Sequence, residues 1–429
     1  MKGLPSFLIM RSRILSFYKL ANNTGQSFRN FTRSYSSNNI TRNKPIIFGI
    51  ETSCDDTGCA IVDGNGNILG DAINSQTIIH LRNGGILPPV AQDLHRSNME
   101  LIADQAFREA GLTGADIDAV AVTVKPGLPM SLVIGMKYAK HLCRKFNKPM
   151  IPIHHMEAHA LTARMENDVE FPFLVLLISG GHCLLSLVKD VDDFQLLGTS
   201  IDDSPGEAFD KTARRMKLRN MEMFCQLSGG GAIELAATFS KNPELFEFPL
   251  PMATYRDCNF SFSGLKNTVI RHIQQQERIH EIEGDGVIPE VHDLCAAFQL
   301  AVTRHICHRT QRAMDYLDIR KYMPKENRTL VVSGGVACND FIAKSLELVC
   351  NETGYRLVRP RPKLCTDNGV MIAWNGVERA RKNIGLTYDL NSVDIQAQCA
   401  LGTNIVQDVL ELAIKCRCIQ TKKILQNLH

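Results

Sequence analysis

Apolar runs separated by polar turns predict a strand-rich start to the folded part of the chain. Pro45–Ile50 is apolar, a polar loop follows, and Gly58–Val62 is apolar again. Asp63–Asn67 contains only Asp, Gly and Asn, which is typical of a hairpin turn, and a further apolar run starts at Ile68. This pattern predicts strand, polar loop, strand, hairpin turn and strand.

A helix and another strand are predicted next. Apolar side chains recur at helical spacing from Ser97 to Ala110, and Ser97 and Glu100 match a capping box. Gly111 is expected to end this helix. Ala119–Val124 is then predicted as a strand that stops at a Lys-Pro-Gly turn.

The pattern of strand, small polar turn and strand returns later in the chain. Phe173–Ile178 and Cys183–Val188 are apolar runs on either side of such a turn. In a third instance, Leu330–Val332 leads through Ser333–Gly335 into a helix expected from Asn339.

The spacing and chemistry of these turns predict the fold class. Ile50 and Ile178 lie 128 positions apart and their segments share no residue identity, so the repeat is architectural. Turns of small and hydroxyl residues present several backbone N–H groups together, which suits a phosphate. We therefore expect an α/β protein of the actin, sugar-kinase and Hsp70 (ASKHA) class, in which two ribonuclease-H-like lobes close over a nucleotide.

His155 and His159 are the most distinctive candidates for a metal site. Their spacing places both imidazoles on one face of a helix, although most histidine pairs at this spacing bind no metal. A carboxylate from elsewhere would supply the third ligand. Asp367, in a tight Thr-Asp-Asn-Gly turn, is a candidate, and an Asx turn or a helix cap is its alternative role.

The same histidines raise the hypothesis of a metal-dependent peptidase. A thermolysin-type site needs a glutamate directly after the first histidine, so that this base faces the metal-bound water. Glu157 follows His155 by two positions, about 200° round a helix. Glu157 is therefore predicted to face away from the metal.

A second distinctive segment runs from Asp202 to Lys211. Ser204, Pro205 and Glu207 are the residue types that start a helix. Asp210, one turn further on, could accept hydrogen bonds from a ribose or a substrate amine, and a solvated surface acid is the alternative.

Several other polar residues are expected on helix surfaces. His305 and His308 lie in a segment with apolar helical periodicity and are predicted to face solvent. A cluster of cations has two open interpretations, a solvated helix or a patch that binds nucleic-acid phosphate. The cluster consists of Lys211, Arg214, Arg215, Lys217 and Arg219.

Charge separates an N-terminal leader from the rest of the 429 residues. The formal net charge is +3, but residues 1–44 contain eight Lys or Arg and no acid, so the remainder has 45 acidic against 40 basic residues. A basic, Ser-rich leader with interleaved apolar residues is typical of a mitochondrial transit peptide, and a disordered basic tail is the alternative. Arg33 stands three positions before the cleavage expected after Tyr35.

Composition excludes several classes of protein. With 44% hydrophobic and 22% charged residues, the chain is neither disordered nor fibrous. No apolar run approaches the ~18 residues that span a bilayer, so no membrane insertion is expected. The 14 cysteines include no CxxC pair, which argues against a zinc ribbon and fits a reducing compartment.

Together the motifs resemble those of the universal tRNA threonylcarbamoyladenosine transferase family, called TsaD in bacteria and formerly described as an O-sialoglycoprotein endopeptidase. The resemblance covers about residues 45–385, and the leader suggests the mitochondrial, stand-alone branch. The motifs are Gly49–Asp55, Gly84–Ile86, Pro126–Leu128, His154–His159, Ser179–His182, Gly206–Lys211, Phe260–Lys266, Ser333–Ala337 with Asn339, and Thr366–Gly369.

This resemblance implies an activity and a set of site residues. The activity is transfer of a threonylcarbamoyl group from threonylcarbamoyl-AMP to N6 of adenosine 37, just 3′ of the anticodon, in mitochondrial tRNAs that read codons beginning with A. One divalent metal ion per subunit, iron or zinc, would be held by His155, His159 and Asp367. The implied substrate-binding residues are Ile178, Ser179, Gly180, Gly181, His182, Asp210, Gly230, Glu234, Ser263 and Asn339.

The resemblance also implies partners and a location. A separate threonylcarbamoyl-AMP synthase would act upstream, the protein would form a homodimer, and the mature chain would sit in the mitochondrial matrix. One departure from the family is Gly231, which stands where the family has proline, so the fixed φ of that proline is lost beside the nucleotide.

The expected organisation has four parts. Residues 1–44 form the transit peptide, 45–160 the N-terminal ASKHA lobe, 161–385 the C-terminal lobe with the adenylate and metal site, and 386–429 an extension with no predicted role. A metal-dependent peptidase and a non-catalytic actin-like nucleotide-binding scaffold are the alternative functions. The position of Glu157 opposes the first, and the set of two histidines and an aspartate opposes the second, because a scaffold needs no metal.

Overall fold

A computed structural model describes residues 44–416 and residue 424 of the protein. Apart from residue 44, the predicted transit peptide and its cleavage after Tyr35 lie outside the described residues. No helix within the described ranges is long and apolar enough to cross a membrane.

The first five strands form one sheet. They are β1 Ile47–Glu51, β2 Asp56–Val62, β3 Ile68–Ser75, β4 Ala119–Lys125 and β5 Met150–His154. Their order is β3-β2-β1-β4-β5, in which β1 to β3 are antiparallel neighbours and β4 and β5 continue the sheet in parallel with β1. The polar loop and hairpin turn predicted from the sequence lie between β1, β2 and β3.

Six later strands form a second sheet. They are β6 Phe173–Ile178, β7 Cys183–Asp190, β8 Asp193–Thr199, β9 Thr329–Ser333, β10 Arg356–Val358 and β11 Thr403–Asn404. Their order is β10-β9-β6-β7-β8-β11. β6 to β8 are antiparallel, β9 and β10 run parallel to β6, and β11 adds to the outer edge of β8.

The two sheets share one topology. In each, an antiparallel meander of three strands is extended by two parallel strands beside its first strand, and only β11 has no counterpart. This confirms the architectural repeat and the ASKHA fold class predicted from the sequence, because each sheet has the strand order of a ribonuclease-H-like lobe.

Helices connect and cover the strands. They are α1 Thr77–Arg82, α2 Pro88–Ala110, α3 Pro129–Phe146, α4 His155–Leu161, α5 Ala163–Glu166, α6 Pro205–Arg215, α7 Gly229–Ala237, α8 Ser263–Ile279, α9 Val291–Arg320, α10 Asp340–Thr353, α11 Pro362–Cys365, α12 Gly369–Lys382 and α13 Val406–Glu411. Short 3₁₀ turns occur at Leu218–Asn220, Glu222–Phe224, Lys325–Asn327 and Gly335–Cys338.

The predicted start of helix α2 at Ser97 is wrong. The helix begins at Pro88, after an extended Leu87 that provides no side-chain cap. A proline in the first turn costs no hydrogen bond, because that N–H has no partner inside the helix. Ser97 lies within the helix and donates from Oγ to the carbonyl of Asp93 at 2.8 Å, so it forms no capping box. The predicted end at Gly111 is confirmed, with φ 63°.

The predicted solvent exposure of His305 and His308 is also wrong. Helix α9 runs through the largest hydrophobic core, and both histidines are buried. The N–H of Ser261 donates to His305 Nε2 at 3.1 Å, so that nitrogen is an acceptor. Burial, reinforced by the charge of Arg309, lowers the pKa of His305 to about 3, and the ring is neutral. The apolar periodicity of this segment did not reveal that a second face of the helix is covered too.

Helix α12 crosses from the later part of the chain to the first sheet. A Cβ added at Gly49 would lie 2.3 Å from the backbone nitrogen of Ala373, so the helix rests directly on β1. By chain position α12 belongs to the predicted lobe of residues 161–385, yet it packs on the sheet of the first lobe. This crossing determines where the preceding turn, with Asp367, is placed.

The C-terminal extension contacts both sheets. Thr387 forms an isolated bridge with Met150 beside the first sheet, and β11 pairs with β8 of the second. The extension also contains the short helix α13, whose Val409 is buried.

Candidate metal and nucleotide site

Close backbone packing brings Asp367 to the first lobe. A Cβ added at Gly58 would lie 2.7 Å from the nitrogen of Gly369, and one added at Gly369 would lie 2.5 Å from the carbonyl carbon of Cys59. The start of α12 is therefore held against β2. Asn368 caps the helix by accepting a hydrogen bond from the N–H of Met371 at 2.8 Å, which fixes the residue that directly follows Asp367.

Helix α4 presents both predicted histidines to this turn. It begins immediately after β5, with His154 as its cap, so His155 and His159 lie on one face at the end of a buried strand. His159 Nε2 is 3.0 Å and His155 Nε2 is 3.4 Å from Asp367 Oδ1. The two rings are nearly perpendicular, with centroids 4.7 Å apart.

The donor set fits a divalent metal ion. One ligand atom from each of His155, His159 and Asp367 lies within 4.8 Å of the others. Two imidazoles and one carboxylate are ligands that both zinc and ferrous iron accept. Both histidines are almost fully buried, and the carboxylate is partly accessible. The structure thus brings the three predicted ligands into one cluster, with one side open to solvent.

Glu51 supports this cluster from behind. Its Oε2 lies 3.2 Å from His155 Nδ1 and accepts a hydrogen bond from the hydroxyl of Thr123 at 2.6 Å. Such a contact fixes the orientation of the imidazole and directs Nε2 toward the ligand cluster. Glu51 was not predicted as a site residue, although an acid at the end of the first apolar run was a usable signal.

Charges within the cluster stabilise one another. Burial alone would raise the pKa of Asp367, but the neighbouring His155 and His159 hold it well below its ordinary value. Burial alone would lower the pKa of His155, and the carboxylates of Asp367 and Glu51 raise it instead.

Glu157 is engaged elsewhere, as its spacing predicted. Its Oε2 forms an ion pair with Arg379 of α12 at 2.5 Å, and both side chains are about nine-tenths buried. The carboxylate therefore ties α4 to α12 and does not face the histidine cluster as a peptidase base would.

A cavity of about 330 Å³ lies beside the cluster. Thr366 lines this cavity and immediately precedes Asp367, so the two sites adjoin. The lining residues are Gly180, Gly206, Phe209, Asp210, Ser228, Gly230, Gly231, Glu234, Gly335, Val336, Cys338, Asn339 and Thr366.

Five of the predicted substrate-binding residues line the cavity, and three of their side chains also hold its walls. Asp210 accepts a hydrogen bond from the N–H of Gly229 at 2.9 Å, and Glu234 accepts one from the N–H of Asp340 at 2.7 Å. Asn339 caps α10 through its Oδ1. The five residues are Gly180, Asp210, Gly230, Glu234 and Asn339.

Burial is the largest influence on the two acids. It raises the pKa of Asp210, against the N–H of Gly229 and the charge of Arg214, and it raises the pKa of Glu234 against the N–H of Asp340. Both carboxylates nevertheless keep one oxygen that is not used in the bonds just described.

The other predicted residues of the β6–β7 turn shape the cavity without lining it. Ile178 is fully buried in β6, and Ser179 Oγ accepts from the N–H groups of Gly181 and His182. Burial and the nearby His155 and His159 lower the pKa of His182 to about 4, so its ring is neutral beside the cluster.

Ser263 lies apart from the cavity lining. Its hydroxyl donates to Asp202 Oδ2 at 2.7 Å, at the start of α8. The structure therefore gives Ser263 a local role in holding the loop that precedes α6.

Sequence reasoning missed several cavity residues, of which Gly206 is the clearest. A Cβ added there would lie 2.7 Å from Gly180 Cα, because α6 begins directly against the β6–β7 turn. Ser228, Cys338 and Thr366 were also unassigned, although Cys338 and Thr366 adjoin the predicted Asn339 and Asp367.

Gly231 stands where the resemblance implies a proline. Its N–H donates to Ser228 Oγ at 3.2 Å, which caps α7. Proline has no N–H and could not form this bond. The helix start beside the cavity is thus fixed by a capping serine.

Comparison with known proteins agrees with the geometry. The profile of the family described as tRNA N6-adenosine threonylcarbamoyltransferase matches residues 67–374. Among curated relatives, the mitochondrial tRNA N6-adenosine threonylcarbamoyltransferase of Mus musculus is 48% identical over 86% of this chain and 89% of its own. The corresponding probable mitochondrial enzyme of Drosophila melanogaster is 46% identical over 89% of this chain and 95% of its own.

A bacterial relative shows the same similarity. The tRNA N6-adenosine threonylcarbamoyltransferase of Sinorhizobium medicae is 41% identical over 83% of this chain and 98% of its own. The profile match covers well over half of the chain, and these relatives are matched along most of their length. The chain belongs to the tRNA N6-adenosine threonylcarbamoyltransferase family.

Proposed function

We propose that this protein transfers the threonylcarbamoyl group of threonylcarbamoyl-AMP to N6 of the adenosine just 3′ of the anticodon in mitochondrial tRNAs that read codons beginning with A. The product is N6-threonylcarbamoyladenosine (t6A). The observation that carries the proposal is the direct junction of two sites in a member of this family. Thr366 lines the cavity beside the glycine-rich turns, and the next residue, Asp367, belongs to the histidine cluster.

The reaction needs positioning more than a strong base. The carbamoyl carbon of the mixed anhydride is already electrophilic and AMP is a good leaving group, whereas the amino group of adenine is a weak nucleophile. A bond forms between N6 and the carbamoyl carbon, the bond from that carbon to the phosphate oxygen breaks, and N6 loses a proton. Holding the two substrates in line can supply a large part of the rate. We assign no general base.

The chain offers groups suited to the adenylate. Gly180, Gly230 and Gly335 line the cavity, and the absence of side chains at these positions lets a phosphate approach the backbone closely. Asp210 and Glu234 each offer a carboxylate oxygen to the ribose hydroxyls. Neutral His182, the last residue of the β6–β7 turn, lies near the two histidines of the cluster and could donate to an oxygen of the substrate.

His155, His159 and Asp367 would hold one divalent ion, iron or zinc, through two imidazole nitrogens and one carboxylate oxygen. A metal with three protein ligands keeps positions open for substrate oxygens and stabilises negative charge that develops on them. Glu51 and Ser53, both within 3.2 Å of His155 Nδ1, would hold the first imidazole in place.

We further propose that the mature protein works in the mitochondrial matrix as a homodimer, supplied by a separate threonylcarbamoyl-AMP synthase. The basic leader and the mitochondrial relatives support the location. The ion pair of Glu157 with Arg379 argues against the peptidase alternative, since it removes the only acid within helix α4 from the histidine face. The buried ligand set argues against a pure scaffold.

Reconstitution tests the proposed activity directly. The purified mature protein is incubated with unmodified tRNA transcripts and threonylcarbamoyl-AMP, and t6A is measured by mass spectrometry of the nucleosides. We expect t6A from the wild type with transcripts that read codons beginning with A, and none from His159→Ala. Peptide hydrolysis without any t6A, or equal product from both proteins, would contradict the proposal.

A further inference from the structure

The five cations predicted as a cluster, Lys211 to Arg219, lie in and just after the end of α6. Lys211 pairs with Glu207 at 2.5 Å and with Asp203 at 3.3 Å. Arg215 and Lys217 both pair with Glu277 of α8. Three of the five cations therefore pair with carboxylates of this chain. Of the remaining two, Arg214 and Arg219, the first is considered below as a ligand-binding group.

These two arginines line a second cavity of about 210 Å³. Asp210 and Ser228 line both this cavity and the cavity of about 330 Å³ beside the histidine cluster, so the two spaces share a wall. The opposite wall comes from the first lobe and consists of Asp55, Thr77, His80, Gly84, Gly85 and Ile86. The second cavity is thus the place where another substrate could approach a bound adenylate from between the lobes.

The cationic side of this cavity is available to a ligand. Arg214 is exposed, and its side chain forms no ion pair or hydrogen bond with any residue that the structure describes. The charges of Arg214 and Arg219 both act on the Asp210 carboxylate, which supports their position at the shared wall. A guanidinium without a carboxylate partner can bind a phosphate through two parallel hydrogen bonds.

The opposite wall contains an unsatisfied polar atom. His80 is 3% exposed, and its Nε2 lies 2.9 Å from Gln76 Oε1. Its Nδ1 is buried and has no hydrogen-bond partner within residues 44–416. Buried polar atoms are nearly always paired with protein, water or ligand, which leaves a water or a ligand as the partner of His80 Nδ1.

We propose that this second cavity receives the tRNA, with Arg214 binding a backbone phosphate beside the nucleotide that is modified. The inference rests on the proposed function, because it concerns the second substrate of that reaction. Proteins read single-stranded RNA loops by splaying out bases and holding the adjoining backbone. An adenosine that enters here would reach the wall shared with the adenylate, and Arg219 would add positive charge at the same entrance.

The threonyl carboxylate of the other substrate is the competing anion. It could pair with Arg214 in the same way as a phosphate. The two ligands are distinguished kinetically, since loss of a tRNA contact weakens binding of tRNA, and loss of a carboxylate contact weakens binding of threonylcarbamoyl-AMP.

Arg214→Gln and Arg215→Gln form a matched pair for the test. The two arginines are adjacent on one helix, and each substitution removes one positive charge. Arg215 pairs with Glu277, and in Arg215→Gln that carboxylate still has Lys217 as a partner. Initial rates of t6A formation are measured first with varied tRNA at saturating threonylcarbamoyl-AMP. They are then measured with varied threonylcarbamoyl-AMP at saturating tRNA, which gives a KM for each substrate. Binding of a fluorescent anticodon stem-loop RNA is measured by anisotropy between 50 and 200 mM salt.

For Arg214→Gln we expect the KM for tRNA and the Kd for the stem-loop to rise about tenfold, the loss of one charge-assisted contact. The slope of log Kd against log salt should fall by about 0.7 to 1. The KM for threonylcarbamoyl-AMP should stay unchanged, and Arg215→Gln should behave like the wild type in every assay.

Two results would overturn the inference. The first is that Arg214→Gln and Arg215→Gln bind the stem-loop RNA with equal affinity and equal salt dependence. The second is that Arg214→Gln raises the KM for threonylcarbamoyl-AMP and leaves the KM for tRNA unchanged. If the wild type made no t6A at all, the proposed function would fail on its own, while the anisotropy comparison of the two variants would still decide whether Arg214 binds RNA.

Discussion

His159 Nε2 lies 3.0 Å from Asp367 Oδ1, although the two residues are 208 positions apart in the chain. Backbone packing at Gly49, Gly58 and Gly369 produces this contact, because it leaves no space between helix α12 and the first sheet. The candidate metal site is therefore built from one helix of the first lobe and one turn that returns from the second.

His159→Ala should remove metal binding and t6A formation while the protein stays folded. Only two ligands would remain, so metal retained after purification should fall from about one ion per chain to almost none. The lost buried contact should lower the free energy of unfolding by about 1–3 kcal/mol. Elemental analysis by mass spectrometry and chemical denaturation measure the two effects.

Glu157→Gln is the matched control on the same helix. It weakens the ion pair with Arg379 and should cost a similar amount of stability. Metal content and t6A formation should nevertheless remain close to those of the wild type. An inactive Glu157→Gln, or an active His159→Ala, would show that the site is assigned to the wrong residues.

Glu51→Gln should weaken metal binding without abolishing it. The substitution keeps the shape of the side chain but removes the negative charge behind His155 Nδ1. Loss of such a supporting contact typically costs 10- to 100-fold in metal affinity. Competition with a chelator of known affinity measures the change. Unaltered affinity would mean that Glu51 serves the fold of β1 alone.

Asp210→Ala should keep the fold and weaken binding of a non-hydrolysable adenylate analogue. A lost charge-assisted hydrogen bond to the ribose costs about 1.5–3 kcal/mol, or roughly 10- to 150-fold in affinity. Asp210→Asn retains an oxygen that can accept from the N–H of Gly229, so it separates loop support from ligand contact. Calorimetric titration should give weak binding for both variants. Normal affinity in both would exclude a ribose contact.

Glu277 should make stability depend on pH in the acid range. Hydrogen bonds from Arg215, followed by the contact with Lys217, lower the pKa of Glu277 from 4.5 to about 2. The contribution of Glu277 to the free energy of unfolding is complete above about pH 4.5. It is lost as the pH falls through about 2, because protonation neutralises the carboxylate that pairs with Arg215 and Lys217.

Urea unfolding at several pH values tests this effect. Between pH 5 and pH 2.5 the wild type should lose about 1–2 kcal/mol more than Glu277→Gln, a modest value because the pair is near the surface. Parallel losses in the two proteins would mean that this ion pair does not contribute.

The sequence predicted those features that depend on local patterns. The polar turns after Ile50 and Ile178 identified the two lobes, and the spacing of His155 and His159 identified two of the three candidate metal ligands. Asp367 could be proposed because its turn is short and rigid. Its approach to the histidines depends on the packing of α12, which no local pattern contains.

Features determined by tertiary packing could not be predicted. Helix α2 begins at Pro88 without a side-chain cap, so its start had no capping signal. His305 is buried because α9 is covered on more than one face. Glu234 holds the cavity wall through the N–H of Asp340, which is distant in sequence. Asn339 caps α10 and also donates to Gln299, a second contact that is distant in sequence.

The most direct test of the central claim is the t6A content of mitochondrial tRNA in cells that lack this protein. Nucleosides from purified mitochondrial and cytosolic tRNA are compared by mass spectrometry, before and after expression of the wild type or His159→Ala. We predict that mitochondrial t6A disappears, that cytosolic t6A is unchanged, and that only the wild type restores the mitochondrial modification. Full mitochondrial t6A without the protein, or restoration by His159→Ala, would contradict the account.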